Sequence, residues 1–263
     1  MMTSKTEPRL LCYDLGEGVT AFSTTRHGGV SEANYASFNI NPYCGDSADH
    51  VARNRQLLAD RLGLPASHIV LPHQVHGIEH RAVAAELLDM SDAVRDKILD
   101  GVDMVTTSMT GVCIGVSTAD CIPVLLYDPV ARATAAIHAG WRGTLQRICQ
   151  RAVMAMQLHY GSTPDRLRAV VGPGISLANF EVGQEVYDQF VQAGFDLTET
   201  AEWHTKWHLD LPGINIRELI GCGVPPEHIH HADICTFDHA DDYFSARRLG
   251  IDSGRIYTGI LMR

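Results

Sequence analysis

The sequence predicts one α/β domain: a sheet organised around a central hairpin and covered by amphipathic helices. Three observations carry that expectation. Strand-length apolar runs recur at residues 111–117, 122–127, 133–137, 167–171 and 256–261, several of them apolar enough to be buried on both faces. Segments 49–63 and 144–156 instead repeat their apolar residues at the period of a helix. No internal repeat or low-complexity linker divides the 263 residues, so the whole of 1–263 is expected to fold as a single unit with a large core.

Taken in order, a short strand precedes a second one at 19–23, which runs into TTRHGGVSEANYASFNI. Gly28 and Gly29 make a turn there, leaving Arg26 and His27 at a strand end and Asn39 on a loop. Residues 49–63 place Val51, Leu57, Leu58 and Leu62 on one helical face, with Asp49 as N-cap and Gly63 as the stop. His73 and His76 follow in an HxxH that Pro72 and Gly77 bracket. An extended path would point the two imidazoles to opposite faces, so at most one belongs to any given site. Residues 84–99 are polar and partly helical, and 101–108 and 111–117 are two strands joined by a turn.

The hairpin comes next. Strands at 122–127 and 133–137 flank Asp128-Pro129, the preferred residues for the start of a type I turn. A turn centred on Pro129 and Val130 makes opposed residues sum to 259, which sets Cys121 directly across from His138. After Gly140-Trp141-Arg142-Gly143, Thr144 caps a helix whose buried face is Leu145, Ile148, Cys149, Ala152, Val153 and Met156. Arg142 beside those first-turn amides reads equally as an anion site or as a structural salt bridge at a glycine turn. The remainder reads as a strand at 167–171, a helix at 184–193, a polar helical turn at EWHTKWH (202–208), a helix at 216–220 and a strand at 229–236. His228 and His230 form an HxH. Arg247, Arg248 and Arg255 precede the last strand and are either solvated or line an anion pocket.

Composition limits the function. A formal charge of −10 provides no basic field for nucleic acid or an anionic membrane, and no apolar run is long enough to span a bilayer. Seven scattered cysteines, an odd number without a CxxC pair, are expected to be reduced thiols. With no basic region leading an apolar stretch at the N-terminus, the expectation is a cytoplasmic protein, with the monomer favoured. Cys121, His138 and one histidine of HQVH would supply three N/S donors and an open fourth position, the arrangement of catalytic zinc. The rival use of the pair is nucleophilic: His138 would lower the pKa of Cys121, whose thiolate attacks an acyl group.

The run of motifs TTRHGGVS, SFN, QVHG, DMVTT, STADCIPVLLYD, AAIHAGWRGT, GPGIS with FEVG, CT, and YFSARR with SGR resembles the laccase-domain family. That family is also called multicopper polyphenol oxidase or peptidoglycan editing factor. The resemblance runs from Val19 to the C-terminus, and TADC and HAGWRG are its most specific parts. It implies an α/β/β/α sandwich of mixed sheets sharing a core with certain cysteine hydrolases. It also implies one metal, usually zinc, on His76, Cys121 and His138, thereby choosing His76 over His73; copper could substitute. The implied activities are phosphorolysis of adenosine, inosine, guanosine and methylthioadenosine, adenosine deamination, and a cell-wall precursor editing role. Purine nucleosides and phosphate are thus the expected small-molecule partners, with Arg26, Asn39 and Arg142 orienting them. Asp120 is the carboxylate nearest in sequence for a proton shuttle. Ala178-Asn179-Phe180 replaces the commoner Cys-Cys-Tyr and YFSARR the commoner FFSYRR, which leaves the pocket shape open. Four-copper laccase chemistry is not expected, because it needs several HxH pairs and only His228-Ile229-His230 provides one.

Overall fold

Two mixed β-sheets lie face to face, each with helices on its outer side, in a computed structural model that describes residues 7–263. The start of the N-terminal stretch read above therefore lies outside the described residues. One sheet has the order β1 (Leu10–Tyr13), β2 (Val19–Thr24), β14 (Ile256–Met262), β6 (Cys113–Thr118) and β3 (Ile69–Val70). The other has the order β13 (Ile229–His231), β9 (Arg168–Val171), β7 (Ile122–Asp128), β8 (Ala133–Ala139), β5 (Val102–Thr107) and β4 (Glu79–Ala82). A small third sheet joins β10 (Glu181–Val182), β12 (Trp207–Leu209) and β11 (Ala201–Trp203).

Alternation along the central strands explains the layers. Ile122, Val124 and Leu126 face a core shared with α5 (Ile148–Tyr160) and α7 (Leu211–Gly221), whereas Leu125 and Tyr127 face the core between the sheets. The outer side of the five-stranded sheet packs on α1 (Ala48–Leu62) through Phe22, Tyr257, Leu58 and Leu62. The shorter helices α2 (Ala85–Asp89), α3 (Asp92–Ile98), α4 (Trp141–Leu145), α6 (Gln184–Gln192) and α8 (Ala246–Leu249) fill the connections. This is the layered α/β architecture that the motifs imply, and residues on the inter-sheet side of β7 and β8 open at its edge into the site. No helix among the described residues is long and apolar enough to cross a membrane.

Several local expectations change. The hairpin pairs Asp128 with Ala133 and Pro123 with His138, so opposed residues sum to 261 rather than 259. The cause is a four-residue loop: the Asp128 carboxylate accepts from the amides of Val130 and Ala131, and Arg132 takes a left-handed φ of 49°. A shift of two leaves every side chain on its expected face. The helix after the hairpin breaks in two at Arg147, whose φ is 61°. Gly140 occupies its N-cap, and Thr144 is buried against Asn215. Ser47 rather than Asp49 occupies the N-cap position of α1. EWHTKWH forms the β11–β12 hairpin, not a helical turn, because Trp203 pairs with Trp207 and Trp207 stacks on Tyr187 at 3.7 Å. The strand expected over 229–236 stops at His231.

Candidate metal and substrate site

Cys121 immediately precedes β7 and His138 lies near the end of β8, both on the inter-sheet side. In the observed register, continuing one step past the Ile122–Ala139 pair brings Cys121 opposite Gly140, with His138 diagonal to it. The diagonal position suffices. His76, Cys121 and His138 each offer one ligand atom, and the three atoms lie within 4.8 Å of one another. Gly140 leaves the room for this, since a Cβ there would stand 3.0 Å from the Cys121 sulfur and 3.1 Å from Cδ2 of His76.

A residue that the sequence reading did not select organises the corner. Asp103 on β5 is fully buried, and the register Met104–Ile137 brings it beside His138. Its Oδ1 lies 2.6 Å from Nδ1 of His138 and also accepts the amide of His76 at 3.0 Å. Its Oδ2 accepts the amides of Gly77 at 2.7 Å and Val75 at 3.2 Å. One carboxylate thus fixes the imidazole of one donor and the backbone of another, and it directs Nε2 of His138 toward the cluster. His76 itself sits at φ 63°, a strained conformation for a side-chain-bearing residue, which the three amide bonds hold in place. The signal was available in the DMVTT motif, as a lone carboxylate in an otherwise apolar and hydroxyl-bearing strand.

Electrostatics follow from this geometry. Burial pushes the Cys121 thiol up, but the charge and hydrogen bonds of His138, with those of His76, outweigh it and bring the thiol down to about 6. Burial pushes His138 the other way, and the Cys121 thiolate with the Asp103 carboxylate raises it to about 9. Thiolate and imidazolium stabilise each other when no cation is present. A divalent cation would take the imidazolium's place, so this donor set fits a zinc-class metal.

The site cavity has a volume of about 200 Å³ and is lined on its remaining sides by Asn41, Tyr43, Gln74, Ser117, Ala246 and Arg255 among others. That is below the ~300–1,000 Å³ typical of enclosed small-molecule sites, so a ligand would extend across its open mouth. Gln74 is not free to contact one: its amide donates to the Ser117 carbonyl and accepts from the Ser117 amide, tying the QVHG loop to β6.

A family model described as multi-copper polyphenol oxidoreductase laccase matches residues 20–263. The chain belongs to this family. A purine nucleoside phosphorylase of Bacteroides thetaiotaomicron is 42% identical to it over the whole of this chain and 99% of the relative. Adenosine deaminase RL5, from an unknown prokaryotic organism, is 40% identical over 93% of this chain and 94% of its own. Among solved structures, YlmD of Geobacillus stearothermophilus superposes with a TM-score of 0.87 at 30% identity, covering 95% of this chain and 94% of that one. The Bacillus licheniformis protein YfiH gives 0.90 at 29% identity, with 97% of each chain covered.

The multi-copper part of the laccase family's name finds no counterpart here: His76, Cys121 and His138 are the only convergent group of three donors among the described residues. His73 behaves differently from expectation. The turn at His76 breaks the extended path, so His73 lines the same cavity, but it bonds Asp100 at 2.7 Å and stacks on Tyr43 at 4.2 Å instead of joining the donors.

The structure does not bring Arg26, Asn39 or Arg142 to the cavity wall. The Arg26 guanidinium donates to the carbonyls of Ala36 and Ala240 and lies over Phe244. Asn39 is fully buried and spends its amide on Asn41, Asp46 and the amide of Arg255. Arg142 is exposed and stacks on Trp141. Asp120, the shuttle candidate, points elsewhere too: its oxygens take the Thr236 hydroxyl and the Arg247 amide. Of the C-terminal arginines, Arg247 serves the carbonyls of Asn179 and Glu181, Arg248 covers Phe237, and Arg255 alone lines the cavity.

Proposed function

We propose that this chain is a zinc-dependent purine nucleoside phosphorylase, acting on adenosine, inosine, guanosine and methylthioadenosine, that also deaminates adenosine. The observation that carries it is the convergence of His76, Cys121 and His138 with Asp103 behind, in a chain whose relatives are named for those two activities. His76, Cys121 and His138 would hold the metal, which as a Lewis acid would stabilise charge developing on the substrate or make water more acidic. The chain's own work is orientation. Asp103 keeps Nδ1 of His138 occupied, so that Nε2 stays directed at the cluster. The Tyr43–His73 stack offers a ring face at the cavity wall, suited to a flat heteroaromatic base. The buried strand ends and the loop tied down through Gln74 fix two of the cavity's walls.

Phosphorolysis needs phosphate held in line with C1′ of the nucleoside and negative charge stabilised on the departing purine. Chromatography of inosine incubated with inorganic phosphate tests this reading: the expected product is hypoxanthine, formed at a rate that Cys121→Ala abolishes. Hypoxanthine no more abundant than in that variant would end it.

One further observation supports a second reading. Cys121, His138 and Asp103 stand in the order nucleophile, base and orienting carboxylate, which suits a cysteine amidase or hydrolase editing a peptidoglycan precursor. Chelation separates the two, because only the second predicts amide hydrolysis that survives metal removal. Copper-dependent oxidation of polyphenols at the same donors is tested by replacing zinc with copper and following dioxygen uptake.

A further inference from the structure

We propose that Arg255 is the residue that holds phosphate in this cavity, an inference that rests on the phosphorolysis reading above. The chain carries an excess of ten negative charges, yet the residues lining the cavity include no aspartate or glutamate, and Arg255 is their only lysine or arginine. Asp103 and Asp100 stand behind His138 and His73, where imidazoles separate them from the cavity. A local anion preference has been built into an anionic protein.

The guanidinium is held in place without being neutralised. Its Nη1 donates to the carbonyls of Ser253 at 2.6 Å and Gly254 at 3.0 Å, and its Nη2 to that of Ile251 at 2.9 Å. Its backbone amide donates to Oδ1 of the buried Asn39 at 3.1 Å. Among the described residues no carboxylate forms an ion pair with it, and its Nε has no protein acceptor. Carbonyl anchors fix the planar fork but leave its full charge for a ligand, the condition under which arginine binds a phosphate oxygen well. Asn39 gains a role here as a positioning residue: it sets the backbone of Arg255 without meeting the substrate.

In the reaction, a phosphate oxygen forms the bond to C1′ while the C1′–N9 bond breaks. The electron pair leaves on the purine, the phosphate's proton passes to that base, and ribose 1-phosphate results. Arg255 stays protonated throughout and serves only to hold the anion near the metal corner.

The test compares wild type with Arg255→Gln and Arg255→Lys in metal-loaded protein. It uses calorimetric titration with inorganic phosphate and steady-state kinetics with inosine. For Arg255→Gln we expect the phosphate KM to rise by about tenfold to a hundredfold, the value of one or two hydrogen bonds to a charged group. The KM for inosine should move far less. Arg255→Lys, which retains charge without the fork, should fall between. A loop that had merely loosened would raise both KM values together, and that outcome overturns the proposal, as does a phosphate KM within about twofold of wild type for the glutamine variant. If wild type shows no phosphate-dependent cleavage, the phosphorylase reading fails separately and calorimetry decides for Arg255. Phosphate binding that Arg255→Gln removes upholds the anion site. Equal binding by both proteins, or by neither, refutes it.

Discussion

Two corners of this molecule contain the same ligand types in different numbers, and the poorer one is the better site. Around Cys235, a cavity of about 390 Å³ is lined by His231, His239, Asp210, Asp233 and Asp238. Around Cys121 the donor group itself has only two imidazoles, with one hidden carboxylate behind. Yet only the second forms a convergent donor group among the described residues. At Cys235 the sulfur and two of the three carboxylates are committed locally. Asp210 caps α7 through the amide of Gly213, Asp238 takes the side-chain amide of Asn179, and the sulfur receives Ser176 and Asn179. At Cys121 three adjacent strand elements, β7, β8 and β5, bring thiol, imidazole and carboxylate to one place, with the loop histidine bonded to the same carboxylate. Strand register and a carboxylate behind the imidazole make a site; a count of ligand-type residues does not.

The largest test of that contrast is a pair of single substitutions. Cys121→Ala is expected to lose stoichiometric zinc and nucleoside turnover together, whereas Cys235→Ala keeps both. Metal analysis of the two purified variants beside wild type reads this directly. Loss of zinc from Cys235→Ala would show that the richer corner is the binding one.

The layers of the fold were legible because β7, β8, β6 and β14 are almost wholly apolar and can only be interior strands. The Cys121–His138 proximity was legible for a reason that tolerated error: the turn was placed two residues short, and a shift of two preserves the face. Asp103 was not legible as a partner of His138, because the β5–β8 pairing joins residues 35 apart that no turn chemistry links. Arg26, Asn39 and Arg142 are expected as binding groups only through the family resemblance and, for Arg142, its place beside a helix start. In the fold, carbonyls, a buried amide network and Trp141 claim them. Arg255 could not be singled out from Arg247 and Arg248 because their partners come from distant loops.

Next in size is the hidden carboxylate. Asp103 accepts from His138 and from three backbone amides, and an asparagine would offer one acceptor oxygen where two are used. Asp103→Asn should weaken zinc binding by roughly tenfold to a hundredfold, the usual effect of losing a residue that orients a ligand. Competition with a chromogenic chelator measures it. Affinity equal to wild type would mean that register alone makes the corner.

The thiol's own state gives a smaller, pH-dependent signature. In metal-free protein Cys121 is held down to about 6, despite burial, by His138 and His76, while burial pushes Cys113 up to about 12. A depressed thiol is thiolate above its folded pKa and loses that form as pH falls through it. Alkylation of Cys121 by iodoacetamide, followed by peptide mass, should therefore reach half its plateau rate near pH 6, with Cys113 unreactive throughout. A midpoint at the ordinary ~8.5 would remove the imidazole contribution.

The smallest expected effect probes how tightly the corner is drawn. Gly140 has φ −70° and ψ 167°, a conformation open to any residue, so alanine there brings no backbone strain, although it is a poorer N-cap than glycine. Besides that small capping cost the change falls on the site, where the new methyl would stand 3.0 Å from the Cys121 sulfur and 3.1 Å from the His76 ring. Those groups must yield by a few tenths of an ångström. His138 is held from behind by Asp103, so the displacement falls on Cys121 and His76, spreading two of the three donors relative to the third. Gly140→Ala should keep the fold, with stability within about 1–3 kcal/mol of wild type, and bind zinc less well than wild type but better than Asp103→Asn. Thermal unfolding and the chelator competition, run on the same preparation, report the two quantities. Unchanged affinity would show that the donors have slack, and that the strand register sets the corner more loosely than the 4.8 Å clustering of the three ligand atoms suggests.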